Sequence, residues 1–448
     1  MKFKSITRML TALLVPMSIA LWMPQAQAIP AFALQTGMPC NACHYQHFPV
    51  LNSFGRAFKE GGFTMIGSQG KVEGDLGLSI PVVLNGSIVV HSTYQKTNGP
   101  DGGTTATGKG TNNGQLNILS GSGIFFGGRV SENIGFESEV TIYPAPDTGV
   151  LNYKMPIIYD ADSAKIGVVP FSTKVYGPSF GLEVMNTSAV HLFNQDDMPA
   201  ISAQQYINTG TVAQGVSLVA SNNMGSVSFA KWMPDQLSSS GSPSSNYFRI
   251  AATPGNLIPG FDFGVGAQFW SGTSASTNTT EAGGFLSNPV GGTSPVAGVY
   301  ETKASAVDAQ LMGEVGGMPL TVVVSYATAP SSGAPTGVIG GFQGNLYNPG
   351  TETRKSFNMG AELGVIPQKM SLQAGLRRAS SGFALGTISN ASDNALLFGA
   401  TYALSLNIRM DLTYSKYSGD MYSAASATAQ GAGYTGDRMT QLVLVGAF

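Results

Sequence analysis

"NIGFESEVTIY", residues 133–143, decides the architecture of this chain. Ile134, Phe136 and Ile142 fall on one face of an extended segment, and Glu137, Glu139 and Thr141 on the other. Successive side chains of a strand point to opposite faces, so this stretch carries one apolar and one polar face. That is the pattern of a strand with lipid on one side and a polar lumen on the other. It recurs in "GSVSFAKW" (225–232), "FDFGVGAQFW" (261–270), "LTVVVSYATA" (320–329) and "MDLTYSKYS" (410–418).

Spacing turns separate strands into a closed sheet. Polar segments rich in Gly, Ser, Thr, Asn and Pro lie at roughly 97–114, 145–160, 185–208, 233–246, 271–302, 329–353, 379–393 and 417–437. Between consecutive ones there is room for two strands of about 9–11 residues and a tight turn. "SEN" (131–133), "SNNMG" (221–225), "GGMP" (316–319) and "IPQK" (366–369) read as those turns. Long loops alternating with short turns imply about 16 antiparallel strands, an even number. The parity requires residues 75–96 to form one long first strand, although Asn85-Gly86 is a hairpin signal that keeps 14 or 18 open. The chain ends on an apolar strand, "TQLVLVGAF", with Phe448 last.

Composition agrees. Charged residues make up 11% of the chain, against about 25% in a typical soluble domain, and glycine is abundant at 58. The formal net charge of -2 gives no reason to expect a nucleic-acid partner. No later segment is apolar for long enough to be a spanning helix. The first 28 residues read as a secretory signal peptide: Lys2, Lys4 and Arg8, an apolar stretch from Met9 to Met23, then Ala26-Gln27-Ala28. The mature chain therefore begins near Ile29, and the expected location is the outer membrane.

The only two cysteines stand in "GMPCNACHYQHFP" (37–49). C-x-x-C-H is the attachment signature of a c-type haem. A disulfide between residues so close is strained, a thioredoxin-like pair would want a βαβ context, and zinc would need more soft ligands than the chain offers. One covalent haem c is the expected cofactor. Cys40 and Cys43 would attach it, and His44 would be the proximal iron ligand. Pro49 is placed to open a helix carrying Leu51, Phe54 and Phe58, which Gly61-Gly62 stops. Phe48, Phe54, Phe58 and Phe63 would line the haem, with Arg56 and Lys59 on its propionates. His47 falls on the same side as His44, so the distal candidates are Met65, beyond the glycine turn, and His91, on the polar face of the first strand.

"FALQTGMPCNACHYQHFPVLNSFGRAFKEGGFTM", followed by a barrel of this size, resembles the fused monohaem cytochrome c–porin iron oxidases of the outer membrane. The resemblance is most specific at "CNACH" and "LNSFGRAFK". It implies an iron oxidase taking electrons from extracellular Fe(II) and passing them to a periplasmic c-type cytochrome or similar carrier. The expected fold is all-β: a transmembrane antiparallel β-barrel of about 16 strands with a small N-terminal α-helical c-type haem domain. Its divisions are signal peptide 1–28, haem domain 29–72 seated in the barrel, and barrel 73–448. Two other readings keep the architecture: a porin for small solutes gated by its N-terminal domain, and an electron conduit with another donor or the reverse direction. No cluster marks a docking site for ferrous iron, and Asp196-Asp197 reads as solvated loop.

Overall fold

A computed structural model describes residues 30–67, 69–74, 79–99, 112–119, 121–142, 149–186, 201–236, 242–255, 257–276, 298–331, 342–423 and 436–448. The signal-peptide segment and Asp196-Asp197 lie outside the described residues. Three short helices come first: α1 (Ala31–Thr36), α2 (Cys40–Cys43) and α3 (Ser53–Glu60). A small hairpin follows, β1 (Lys71–Glu73) with β2 (Ser79–Pro81). The chain then enters the barrel through β3 (Gly86–Thr97), β4 (Gln115–Ile118), β5 (Gly123–Arg129), β6 (Gly135–Thr141), β7 (Gly149–Lys154), β8 (Ile157–Asp160) and β9 (Lys165–Thr173). After α4 (Ala203–Tyr206) it continues through β10 (Ala213–Asn222), β11 (Gly225–Met233), β12 (Ser245–Ala252) and β13 (Phe261–Ser271). Short strands β14 (Thr273–Ser276), β15 (Gly298–Glu301) and β18 (Phe342–Asn345) form a separate sheet. Between and after them come β16 (Ala304–Val315), β17 (Met318–Ala329), β19 (Arg354–Ile366), β20 (Met370–Ser380), β21 (Asn394–Ser405), β22 (Ile408–Ser418) and β23 (Arg438–Ala447).

The sheet closes where β23 pairs with β3. Both β4 and β5 pair with β3, and both β7 and β8 pair with β9, so each of these couples is one interrupted strand. The closed antiparallel barrel therefore has 16 strands, the number expected.

Three segments differ from the sequence reading. The first strand does not run from 75 to 96; it begins at Gly86, and the apolar stretch before it belongs to the β1–β2 hairpin and an exposed connection. The expected loop at 145–160 is mostly strand, β7 and β8, broken at Met155-Pro156 because proline cannot donate to the ladder. The segment after β9 turns into the lumen instead of supplying a second strand.

The wall is patterned polar inside and apolar outside. In β22, Arg409, Asp411, Thr413 and Ser415 are buried, while Met410, Leu412 and Tyr414 are exposed. An apolar outer belt around a barrel without free edges is stable only in a bilayer, where every backbone N–H and C=O must be paired within the protein. The chain is a barrel of the outer membrane. Its short turns mark the periplasmic end and its long loops the outer end.

Candidate functional site

The lumen is filled from both ends. At the short-turn end, residues 30–67 fold into a plug. Asn52 caps α3, its Oδ1 accepting from the Gly55 N–H at 2.9 Å and its Nδ2 donating to the Ala42 carbonyl at 2.9 Å. The helix thus starts at Ser53, later than the Pro49 start expected from sequence. A Cβ on Gly55 would lie 2.2 Å from the Cys43 carbonyl oxygen, so glycine lets α3 sit directly on α2. Phe32, Phe58 and Phe63 make the plug's own small core, with ring centroids 4.9 to 5.6 Å apart. The fully buried Gln35 stitches it to the wall. Its amide donates to the carbonyls of Phe63 and Met65, both at 2.7 Å, and its oxygen accepts from the Arg129 N–H and from Asn85.

Ties across the lumen hold the plug in place. His47 Nε2 lies 2.6 Å from Glu362 Oε1 on β19, and this carboxylate also accepts from Ser371 and Gln373. Arg56 pairs with Asp262 on β13 at 2.6 Å. Arg409 donates to the Phe48 carbonyl, and the Tyr45 hydroxyl to that of Gly313. Asn41 bonds Gln368 at 2.8 Å. On the near wall, β6 approaches so closely that a Cβ on Gly135 would fall 1.8 Å from the Gly62 carbonyl oxygen.

From the other end, residues 174–186 and 201–212 fold inward. Arg249 on β12 fixes this segment by pairing with Glu183 at 3.0 Å and with Asp308 on β16 at 2.5 Å. The segment then meets the plug: Asn186 Oδ1 accepts from the Leu51 N–H at 2.8 Å, and its Nδ2 donates to the Leu51 carbonyl at 3.1 Å. Phe180, Leu182 and Val184 are buried inside the barrel, the first with Phe171 and the other two with Val169 and Val219.

The expected haem c is corrected by the side chains present. Among the described residues no three His, Cys, Asp or Glu side chains gather into a group that could hold a metal ion, and Cys40 and Cys43 are free thiols. Burial pushes both thiols up from their usual range, Cys43 also through its neighbour Cys40, away from the thiolate form that reacts. The half-buried His44 ring has Phe48 edge-on at 5.1 Å, and its Nδ1 is buried with no hydrogen-bond partner among the described residues. Burial above all, then the nearby His47 and Arg409, brings its pKa down to about 4.

The remaining residues singled out in the sequence are scattered. Arg56 is engaged with Asp262. Lys59 lies near Lys154, Glu137 and Glu183, and burial followed by Lys154 brings its pKa down from 10.5 to about 8. Met65 is partly exposed and lines a cavity of about 630 Å³ between plug and wall, along with Phe54, Phe58, Lys71, Arg129 and Lys165. His91 is buried on β3, its backbone N–H donating to Ser122 Oγ at 2.9 Å. Glu362, Asp262, Arg409 and Asn186, which seat the plug, escaped the sequence reading. Their one signal is a charge or amide on the polar face of a strand or inside a long loop.

No family model matches the chain, and no curated protein does. Several solved barrels are similar in structure. The outer-membrane OmpT of Vibrio cholerae is 9% identical, over 85% of this chain and 100% of its own, with a TM-score of 0.48. OmpF of Salmonella typhi, solved with daunomycin, is 11% identical over 85% and 100%, with a TM-score of 0.49. An anion-selective porin from Comamonas acidovorans is 11% identical over 82% and 99%, with a TM-score of 0.47. At these scores the likeness says nothing of what this barrel does.

Proposed function

We propose that this outer-membrane barrel is a gated channel for small solutes, with residues 30–67 as its gate. The observation that carries this reading is the way the plug is attached. Its hold on the far wall combines discrete polar ties, His47–Glu362, Arg56–Asp262 and Arg409–Phe48, with one small apolar patch, Val50 and Tyr45 against Met312, Val323 and Leu397, rather than a continuous apolar interface. Polar contacts lining a lumen exchange for water when they break, at a net cost of about 1 kcal/mol for a neutral bond and about 1.5–3 kcal/mol for a charged one. A plug held so can leave and return, whereas one buried on apolar surface would stay. The inward segment that meets it at Asn186 makes a second constriction.

The test is planar-bilayer recording of the mature full-length chain. It should pass little mean current, with brief openings to a much larger conductance. A continuously open pore would show that the plug is no gate, and an inert barrel that no variant of these ties can open would remove the channel reading.

A second reading rests on "CNACH" and "LNSFGRAFK" alone: oxidation of extracellular Fe(II) with a periplasmic carrier as acceptor. Purified protein that leaves ferrous iron unoxidised, with a c-type cytochrome as acceptor, would dispose of it.

A further inference from the structure

The outer half of the lumen holds a second polar constellation that the gate does not use. Trp232 and Trp270 stand at the outer ends of β11 and β13, Tyr347 in the loop above β19, and Gln204 on α4 of the inward segment. All four are buried, at 0%, 2%, 0% and 0% exposure, among alanines of the surrounding wall. Both indole N–H groups, the Tyr347 hydroxyl, both ends of the Gln204 carboxamide and the Nε–H of Arg354 have no hydrogen-bond partner among the described residues. Trp232, Trp270 and Tyr347 share one packed cluster with Tyr206, and Arg354 and Gln204 lie beside Tyr347 and Tyr206. Trp270 meets Tyr347 edge-on at 6.0 Å, Arg354 reaches the Tyr347 carbonyl at 3.5 Å, and its guanidinium lies 4.9 Å from the ring of Tyr206, two residues along α4 from Gln204.

A buried polar group without a partner costs free energy, and buried groups of this kind are normally satisfied. So many orphans in one place mark a site awaiting a ligand. Their chemistry names its class. Donors dominate: two indoles, a guanidinium, an amide and a hydroxyl, against acceptors only on Gln204 and Tyr347. The charge is uneven in the same sense. Arg354 and Arg377 flank Tyr206 at 4.9 and 4.6 Å, and Asp393 pairs with Arg377, while Arg354 makes no ion pair among the described residues. A neutral sugar would ask for acceptors as often as donors; an anion asks for donors and a spare cation.

We propose that this cluster of unpartnered groups binds a small carboxylate-bearing solute, with Arg354 and the two indoles as its principal donors. The inference rests on the channel reading only in that the solute arrives through the lumen. The protein supplies its own reporter. Of three tryptophans, Trp22 lies in the segment read as signal peptide, so the mature chain carries only Trp232 and Trp270.

Tryptophan emission of the mature full-length barrel should change saturably on titration with succinate at constant ionic strength, and not with glucose. Arg354→Gln should weaken succinate at least tenfold and Arg354→Lys less. Tyr347→Phe, which keeps the ring and removes only the hydroxyl, should weaken it several-fold. If Arg354→Gln fails to fold, by heat-modifiable migration on gels, Tyr347→Phe decides. No saturable response to succinate, a glucose response as strong, or unchanged affinity in the folded variants would overturn the proposal. Liposome efflux separates the two claims: saturable binding without solute efflux sinks the channel and keeps the site, and efflux without saturable binding does the reverse.

Discussion

Removing the far-wall ties of the plug should open the barrel by a calculable amount. His47→Ala deletes a bond to a carboxylate with no exposure, and Ser371 at 2.5 Å and Gln373 at 3.0 Å still donate to its Oε1. The carboxylate loses its ion-pair partner while its buried Oε2 has none among the described residues, so the low end of the range for charged hydrogen bonds, about 1.5 kcal/mol, is a lower bound on the loss. Arg56→Ala leaves Asp262, whose side chain is 29% exposed and takes up water, which again puts the loss near 1.5 kcal/mol. The ties reach different strands, β19 and β13, and share no partner, so the losses should add to at least about 3 kcal/mol. At about 1.4 kcal/mol per tenfold, each single variant should raise the open fraction roughly tenfold or more and the pair roughly a hundredfold or more. Mean current per barrel in planar bilayers measures this directly, with heat-modifiable migration confirming that each barrel is folded. A folded double variant with wild-type current would show that these bonds do not hold the gate.

Three further outcomes follow from the same geometry. Gly135→Ala puts a Cβ where the Gly62 carbonyl oxygen lies, so the plug must move off β6; current should rise several-fold and the plug should become sensitive to protease, with the barrel intact. Lys59 has its pKa lowered to about 8 from 10.5, so between those values the seated plug holds fewer protons than the released one. Seating should therefore strengthen, and current fall, as pH rises through that window, and Lys59→Met should flatten the response. Finally, Cys40 and Cys43 should both alkylate in the unfolded protein, and the 37–49 peptide should have its plain polypeptide mass; any added mass there would overturn the correction of the cofactor.

The alternation of strands such as 133–143 and 410–418 was legible because one face meets lipid and the other does not. The short turns at 131–133, 221–225, 316–319 and 366–369 carried their own chemistry. The misreadings have a physical pattern. Residues 149–160 looked like loop because Asn152 and Lys154 face a polar lumen and Pro156 interrupts the strand, so little apolar signal remained. Spacing left room for two strands between the segments at 145–160 and 185–208, yet Phe180, Leu182 and Val184 pack inside the barrel. The ties of the plug join residues some 200 to 360 positions apart, such as His47 with Glu362 and Arg409 with Phe48, and no local period records them. The C-x-x-C-H spacing was a local signal, and the side chains around it supply no metal-holding group.

The order of the ties along the chain bears on biogenesis. The plug is the first part of the mature protein to reach the periplasm, yet its anchors lie on β13, β16, β19 and β22. The last of these strands is the one next to the seam-forming β23. The earliest-made segment can therefore complete its attachments only when nearly the whole wall stands around it. Until then its cationic Arg56 has no Asp262 against which to settle. Insertion of the barrel would thus proceed around an unseated N-terminus, and docking of that segment from the periplasmic mouth would be the final act of maturation.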